Sequence, residues 1–496
     1  MAIALDSRAT WRRDSSVKNP WRELGMTTTT STGLDAGMLD DAAIESLRGG
    51  LRGRLIQRSD ADYDDARAVY NAMIDRHPAL IAQVRDVADV ISAVNFAREH
   101  HLALAVRGGG HNGPGLGTCD DGLVIDLRNM KGIYVDPKAR TVRVEGGCTW
   151  GDVDHATHPF GLATPSGFIS TTGVGGLTLG GGIGYLSRAY GLTLDNLLSV
   201  EMVLADGSVV TADESENSDL FWAVRGGGGN FGVVTSFVYR LHPVSTVYGG
   251  PIFWPLDQAK ELLKFWSAFI TNAPHDINGW FGFVTVPPAP IFPEQFHLKK
   301  MCVIVWCYTG PMEQAEERFA PIRAFGTPAI DAAGPIPWPV LQGMFDGLYP
   351  AGLQWYWKAD FFNELNDQAI ELHTKYADEL PTMHSTMHLY PISGAVHDVA
   401  NDATAFGFRD ANFAEVMVGV DPDPANNERM IAWARNYWTA LHPYSAGGGY
   451  INMMMDEGQE GVRDAYRGNY ARLAEIKAKH DPDNLFHINQ NIAPAK

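Results

Sequence analysis

Residues 107–111 read RGGGH, directly after the apolar run Leu102, Ala103, Leu104, Ala105 and Val106. A strand there has to run into a loop whose glycines take positive φ without a Cβ penalty. Successive N–H groups in such a loop turn inward and make a nest for anions. Arg107 at its mouth is expected to be a bidentate phosphate donor, and His111 sets an imidazole beside whatever carries the phosphates. A second glycine tract, from Gly173 through Gly175 and Gly176 to Gly182 and Gly184, brings another backbone stretch to the same ligand. Two such nests suit a long diphosphate cofactor. The dinucleotide fingerprint of a Rossmann fold does not fit, because it opens a helix at once. Here Gly113, Pro114 and Gly115 follow, then Asp120, Asp121 and Gly122, all turn chemistry.

These residues carry a resemblance. Residues 78–244 are similar to the FAD-binding domain of the vanillyl-alcohol oxidase (PCMH-type) superfamily, and more closely to its bacterial berberine bridge enzyme-like flavoproteins. The matching segments are RGGGHN at 107–112, GLATPSG at 161–167, GVGGLTLGGG at 173–182, YGLTLDN at 190–196 and DLFWAVRGGGGNFG at 219–232. A C-terminal run with Tyr450, Asn452, Asn489 and Asn491 resembles the short terminal segment of that group. The resemblance implies an α+β protein: a PCMH-type FAD-binding domain of two α/β subdomains, and a substrate domain whose antiparallel sheet is covered by helices. The expected organisation is a disordered leader at 1–38, an FAD-binding domain at 39–245, a substrate-binding domain at 246–445, and a terminal segment at 446–496 that returns to the FAD domain.

The resemblance also implies FAD bonded to the ring of His111. The expected cofactor contacts are Arg107, Gly108, Gly109, Gly110, His111, Asn112, Ser166, Thr171, Thr172, Gly175, Gly176, Gly182, Val234, Asn452, Asn489 and Asn491. Many relatives add a second flavin link from a cysteine, but Ile169 stands at that position and cannot form a thioether. A single link is expected. Two acid–base positions of relatives align with Met417 and Met453, whose side chains have no proton to give or take. The base must then come from Tyr450 or Tyr390, with His388, Glu415 and Lys358 as further candidates. Tyr450 and Asn452 are read as sharing one strand face, as are His388 and Tyr390.

Composition narrows the partners. A net charge of −19 over 496 residues leaves no basic face for nucleic acid. No apolar stretch reaches the length of a membrane span, and the polar residues after Arg12 and Arg13 do not form a secretion signal. Cys119, Cys148, Cys302 and Cys307 show no metal-ligand spacing and no disulfide framework, so a reducing cytoplasm is expected and no metal site. Elsewhere, apolar spacing predicts helices over 41–52, 62–76, 84–98 and 462–479, and a hairpin around Asp206 and Gly207. Strands at 248–254, 279–286, 298–308, 354–361, 386–393 and 414–420 alternate with helices at 256–270, 312–325, 367–379 and 424–441.

Three functions follow from this reading. The first is an FAD oxidase that takes hydride from a C–H beside oxygen or nitrogen of a small organic substrate (alcohol, sugar, phenol or amine) and passes electrons to O2. Thr172 lies where relatives control oxygen approach, and its modest size favours this one. The second is a flavin dehydrogenase with another acceptor, and the third a catalytically silent flavin-binding protein. The oligomeric state is not readable from the sequence.

Overall fold

The computed structural model describes residues 39–496; the leader expected at 1–38 lies outside them. Three large sheets organise these residues, beside a two-stranded pairing of Leu162–Ala163 with His242–Pro243. The first has the strand order Arg54–Gln57, Leu80–Gln83, Leu123–Asp126, Leu104–Arg107. Its first pair is antiparallel and the others are parallel. Leu123–Asp126 is buried at every position, as a parallel strand covered on both faces must be. Helices Asp41–Gly50 and Val87–Glu99 pack their apolar residues against this sheet. The helix expected over 62–76 is only Tyr63–Arg67, and Ala68 is already extended. The buried guanidinium of Arg107 donates to the carbonyls of Ala66 and Ala68, the acceptors a longer helix would have used.

The second sheet is antiparallel throughout, in the order Ile133–Asp136, Thr141–Glu145, Val233–Arg240, Leu197–Val203, Val209–Asp213. It contains the expected hairpin, with Gly207 at φ +84 in the turn. The C-terminal segment packs into the same core: Val462, Leu473, Ile476 and Ile492 join Val142, Val144 and Phe237. The helix expected over 462–479 is two helices, Gly458–Tyr466 and Tyr470–His480, broken where Arg467 takes φ +49. Tertiary bonds hold the break, since Arg467 donates to Asp410 and the Gly407 carbonyl while Asn469 donates to the carbonyl of Asn401.

The third sheet has eight antiparallel strands. Its central order is Thr246–Pro255, Lys300–Tyr308, Ile277–Thr285, Thr386–Pro391, Phe413–Asp421, Gln354–Phe362. Side-chain alternation sorts each strand into two faces. Phe281, Met387 and Met417 lie under helices Ala259–Asn272, Asp367–Asp378 and Asn427–Leu441 with Trp266, Ile370 and Tyr437. Trp280, Val303, Tyr390, Val416 and Val418 belong to the opposite face, in a core shared with Ile183, Tyr185 and Leu194. The site forms on that opposite face.

A buried polar contact joins the helix Trp150–Thr157, packed in the core of the second sheet, to the short helix Trp338–Gln342, packed in the core of the third. Trp338 Nε1–H donates to the buried Asp154 Oδ1 at 2.7 Å, and burial pushes the Asp154 carboxyl up to about 7. The unfolded carboxyl ionises near its ordinary value, so this group favours the fold below about pH 4 and loses that contribution as pH rises toward 7. Asp154→Asn keeps an acceptor and removes the ionisation. Its thermal midpoint should therefore exceed the parent's at pH 8 and converge with it near pH 4. Equal midpoints at both pH values would contradict the buried-acid assignment.

Candidate active site

Two glycine segments touch at the centre of the molecule. A Cβ on Gly109 would lie 2.4 Å from Gly173 N, and one on Gly173 would lie 2.3 Å from Gly109 N. Only two glycines allow this approach. Gly110 takes φ +72 beside it. The N–H groups of Gly109, Gly110 and His111 enter no backbone hydrogen bond among the described residues, so they remain available as anion donors. Added Cβ atoms on Gly176 and Gly229 would meet nothing within 4 Å, which marks open space above those backbones. Together these segments border a cavity of about 440 Å³ that runs from Gly108 to the third sheet. A glycine cradle with free N–H groups leading into an apolar chamber fits a flavin dinucleotide.

The loop is aimed from below. Arg107 and Asp126 are paired at 2.9 Å with both side chains about 1% exposed. Burial alone would raise the Asp126 carboxyl, but Arg128 and Arg107 outweigh it and hold it below the ordinary range. The expected phosphate role of the Arg107 side chain is therefore corrected: both terminal nitrogens of its guanidinium are committed, to Asp126 and to the carbonyls of Ala66 and Ala68, and Nε alone is without a partner. His111 stands at the cavity wall, stacked on Tyr70 with ring centroids 3.9 Å apart. Burial lowers its pKa to about 4, partly offset by the Thr171 carbonyl, so the imidazole is neutral at physiological pH.

Of the other expected contacts, the cavity borders Gly108, Gly109, Gly110, Asn112, Thr172, Gly175, Gly176, Val234, Asn452 and Asn489. Ser166, Thr171, Gly182 and Asn491 are not part of that lining. Gly182 N–H donates to Tyr450 Oη, Thr171 is exposed, and Ser166 Oγ and Asn491 Oδ1 are buried without a partner. Ile169 borders the cavity and no cysteine does. Cys148 is buried near the carbonyls of Met130 and Gly132. Residues that the sequence reading missed include Tyr70, Phe168, Trp280 and Asn230. Asn230 follows the glycines at 226–229 and pins the tail by donating to the Gln490 carbonyl and accepting from Ile492 N–H; its motif was the available signal. Tyr70 had none, because it lies inside a segment patterned as helix.

The candidate bases separate by sheet face. Glu415, Lys358 and Met417 are on the helix-covered side: Glu415 lies 3.5 Å from His373, Lys358 pairs with Glu457 at 2.5 Å, and Met417 is in the core beneath the helices. The expectation that Met417 occupies an acid–base position at the cofactor is thereby corrected; its neighbours Val416 and Val418 reach the cavity. Tyr450 and Asn452 do not share a strand. Tyr450 caps a single 3-10 turn, Ile451–Met453, that contains Asn452, after a run of three glycines. Tyr450 Oη accepts from Gly182 N–H and from Asn452 Nδ2, both at 2.8 Å, and burial pushes the phenol up to about 12. With no cation beside it, this hydroxyl orders the second glycine tract and is poorly suited to taking a proton.

His388 and Tyr390 do share a face, and both border the cavity. His388 Nδ1 and Tyr390 Oη are 2.6 Å apart. Tyr390 stacks on Phe168 at 4.3 Å, and the His388 ring lies 4.5 Å from Trp280. Burial drives His388 down to about 3 and Tyr390 well above its ordinary value. The pair is neutral, with Nε2 bonded to no protein group among the described residues.

Comparison with known proteins identifies the frame. Residues 78–213 match the model of the FAD binding domain, and residues 449–493 match berberine and berberine-like proteins. An FAD-linked oxidoreductase of Dictyostelium discoideum is 34% identical over 429 residues, 86% of this chain and 91% of the relative. This chain belongs to the berberine bridge enzyme-like FAD-linked oxidoreductases. The (R)-6-hydroxynicotine oxidase of Paenarthrobacter nicotinovorans is 28% identical over 462 residues, covering 90% of this chain and 97% of that one. The crystal structure of 6-hydroxy-D-nicotine oxidase from Arthrobacter nicotinovorans superposes with a TM-score of 0.80 at 26% identity, covering 90% and 98% of the two chains. The protein is thus an FAD-linked oxidoreductase of the PCMH-type fold. Among its described residues, no helix is long and apolar enough to cross a membrane.

Because Arg107 holds the loop through Asp126 and the carbonyls of Ala66 and Ala68, while Arg128 still pairs with Asp126, Arg107→Ala should lower stability by about 1.5–3 kcal/mol. The loss should be the same in protein expressed with or without flavin, read as urea midpoints. Destabilisation confined to the flavin-loaded form would return Arg107 to the role of phosphate donor.

Proposed function

We propose that this oxidoreductase is an oxidase with one covalently held FAD, acting on a C–H beside oxygen or nitrogen of a small organic substrate, with O2 as electron acceptor. The His388–Tyr390 pair carries this reading, since it is the one hydrogen-bonded acid–base couple on the cavity face of the third sheet among the described residues. A flavin held by the glycine cradle and His111 would supply a two-electron acceptor for the substrate hydride, with O2 as the final oxidant and hydrogen peroxide as its product.

The protein handles placement and the proton. The neutral imidazole of His111 is a competent nucleophile toward the flavin ring, and stacking on Tyr70 limits its rotation. Ile169 in place of a cysteine leaves His111 as the single attachment point. In the tautomer with its proton on Nδ1, His388 donates to Tyr390 Oη and keeps Nε2 as an acceptor toward the substrate O–H or N–H. Loss of that proton together with the hydride leaves a C=O or C=N product. The imidazole is neutral in the free site, which leaves Nε2 open as a hydrogen-bond acceptor, and burial opposes a standing imidazolium, so the proton would reach Nε2 only as the hydride departs. Thr172 borders the cavity beside Gly173 and leaves room for a diatomic oxidant. Four free, buried thiols fit a reducing, cytoplasmic location.

Tyr390→Phe and His388→Gln should each slow anaerobic flavin reduction by roughly 10²-fold while the flavin stays bound, and Tyr450→Phe should change it far less. With His388 near 3 and Tyr450 near 12, neither of these two groups titrates between pH 5 and 9. The His388→Gln and Tyr450→Phe proteins should therefore keep the shape of the parent's pH–rate profile over that range. Unchanged reduction in both pair variants would remove them as the proton acceptor, and reduced enzyme that survives air for hours would point to a dehydrogenase.

A further inference from the structure

The imidazole of His111 is held between groups that one segment of the third-sheet side controls. That segment, 342–349, leads from the helix Trp338–Gln342 toward the strand Gln354–Phe362. It reaches Tyr70, whose ring stacks on His111 and whose hydroxyl donates to the Tyr349 carbonyl. It also pins the chain at 167–172. Gln342 Nε2 donates to the Gly167 carbonyl at 2.8 Å. Asp346 takes two bonds from one residue: Ser170 N–H to Oδ1 at 3.0 Å, and Ser170 Oγ–H to Oδ2 at 2.5 Å. The Ser170 and Thr172 carbonyls accept from Gly151 and Trp150 N–H at 2.8 and 3.0 Å, and the Ile169 carbonyl accepts from Thr172 N–H at 3.3 Å. Of the carbonyls from Ile169 to Thr172, that of Thr171 alone takes no backbone N–H among the described residues, and it is set against the His111 ring.

The geometry points to Asp346 as the positioning residue for flavin attachment: by fixing Ser170 it aims the Thr171 carbonyl at one ring N–H of His111 and leaves the other ring nitrogen as the nucleophile. This rests on the covalent-FAD reading and names the residue that prepares His111 for it. A neutral imidazole carries one N–H and one lone pair, and the hydrogen bond at one nitrogen decides which is which. Without that bond two tautomers share the ring, and only one of them offers its lone pair to the flavin. In the attachment, the free nitrogen forms a bond to a methyl carbon of the flavin ring. The imidazole and that carbon each give up one hydrogen, the electron pair of the broken C–H passes through the flavin to O2, and hydrogen peroxide leaves. Asp346 acts on this step only through Ser170 and Thr171. A carboxylate takes both Ser170 donors at once; an amide still takes the N–H and can donate to Oγ, whereas alanine does neither.

The test follows attachment itself, without substrate. Full-length apoprotein from a flavin-starved host is mixed with FAD in air and denatured at intervals, and flavin fluorescence in the protein band gives the covalent fraction. Asp346→Ala should bind FAD non-covalently as tightly as the parent yet attach it roughly tenfold more slowly, the loss expected for one orienting hydrogen bond. Asp346→Asn should return the rate to within about threefold of the parent, and Ser170→Ala, which keeps the N–H on Asp346, should fall between the two. Ring nitrogen NMR of His111 should show one tautomer in the parent apoprotein and a mixture in Asp346→Ala. A parent-like rate in Asp346→Ala, or slowing that Asp346→Asn does not reverse, would overturn the assignment while the covalent reading stands. If Asp346→Ala does not fold, Ser170→Ala decides in its place, with slowed attachment in support and a parent-like rate against. A parent protein that never attaches FAD would remove the covalent reading, and this one with it.

Discussion

The contact between Gly109 and Gly173 is the constraint on which the rest of the molecule depends. It joins the end of a parallel strand in the first sheet to the segment that feeds the second, at a distance no side chain could tolerate. The loop is held from beneath by the buried Arg107–Asp126 pair. The same guanidinium also donates to the carbonyls of Ala66 and Ala68, so the base of the loop is tied to the 66–68 segment as well as to the neighbouring strand. A conformation this well defined keeps its N–H groups turned outward, ready for an anion. His111, two residues beyond Gly109, inherits that rigidity and meets Tyr70 as a stacked pair.

The third sheet supplies the other wall by the simplest rule available to a strand. Alternate residues go to the helices or to the cavity, so a shift of one position moves a group from the site to the core. That rule separates Met417 from Val416 and Val418, and Glu415 and Lys358 from His388 and Tyr390. It leaves a chamber with one neutral acid–base pair and an aromatic lining.

Much of this was legible in the sequence. The six long strands and four helices of residues 246–445 follow from apolar periodicity, and the glycine tracts from their composition. Four things were not. The helix expected over 62–76 stops early because a guanidinium distant in sequence takes its carbonyls, and local pattern carries no trace of that. The helix expected over 462–479 breaks at Arg467 for a similar reason, a set of tertiary bonds to the 401–410 segment. Arg107 read as a ligand donor because a basic residue beside a nest so often is one; its partner Asp126 lies on a neighbouring strand whose pairing the sequence does not state. Face assignment failed at Met417 because alignment to a motif cannot detect a one-residue offset, whereas for His388 and Tyr390 the period of two was enough.

The central claim is that this architecture holds one FAD by one bond at His111. Intact-mass analysis of the denatured protein, followed by peptide mapping, tests it most directly. The account predicts a single added FAD mass that survives acid and detergent, carried by the peptide containing His111 and absent from the His111→Ala protein. Quantitative release of flavin on denaturation, or its recovery on a peptide bearing Cys148, would contradict it.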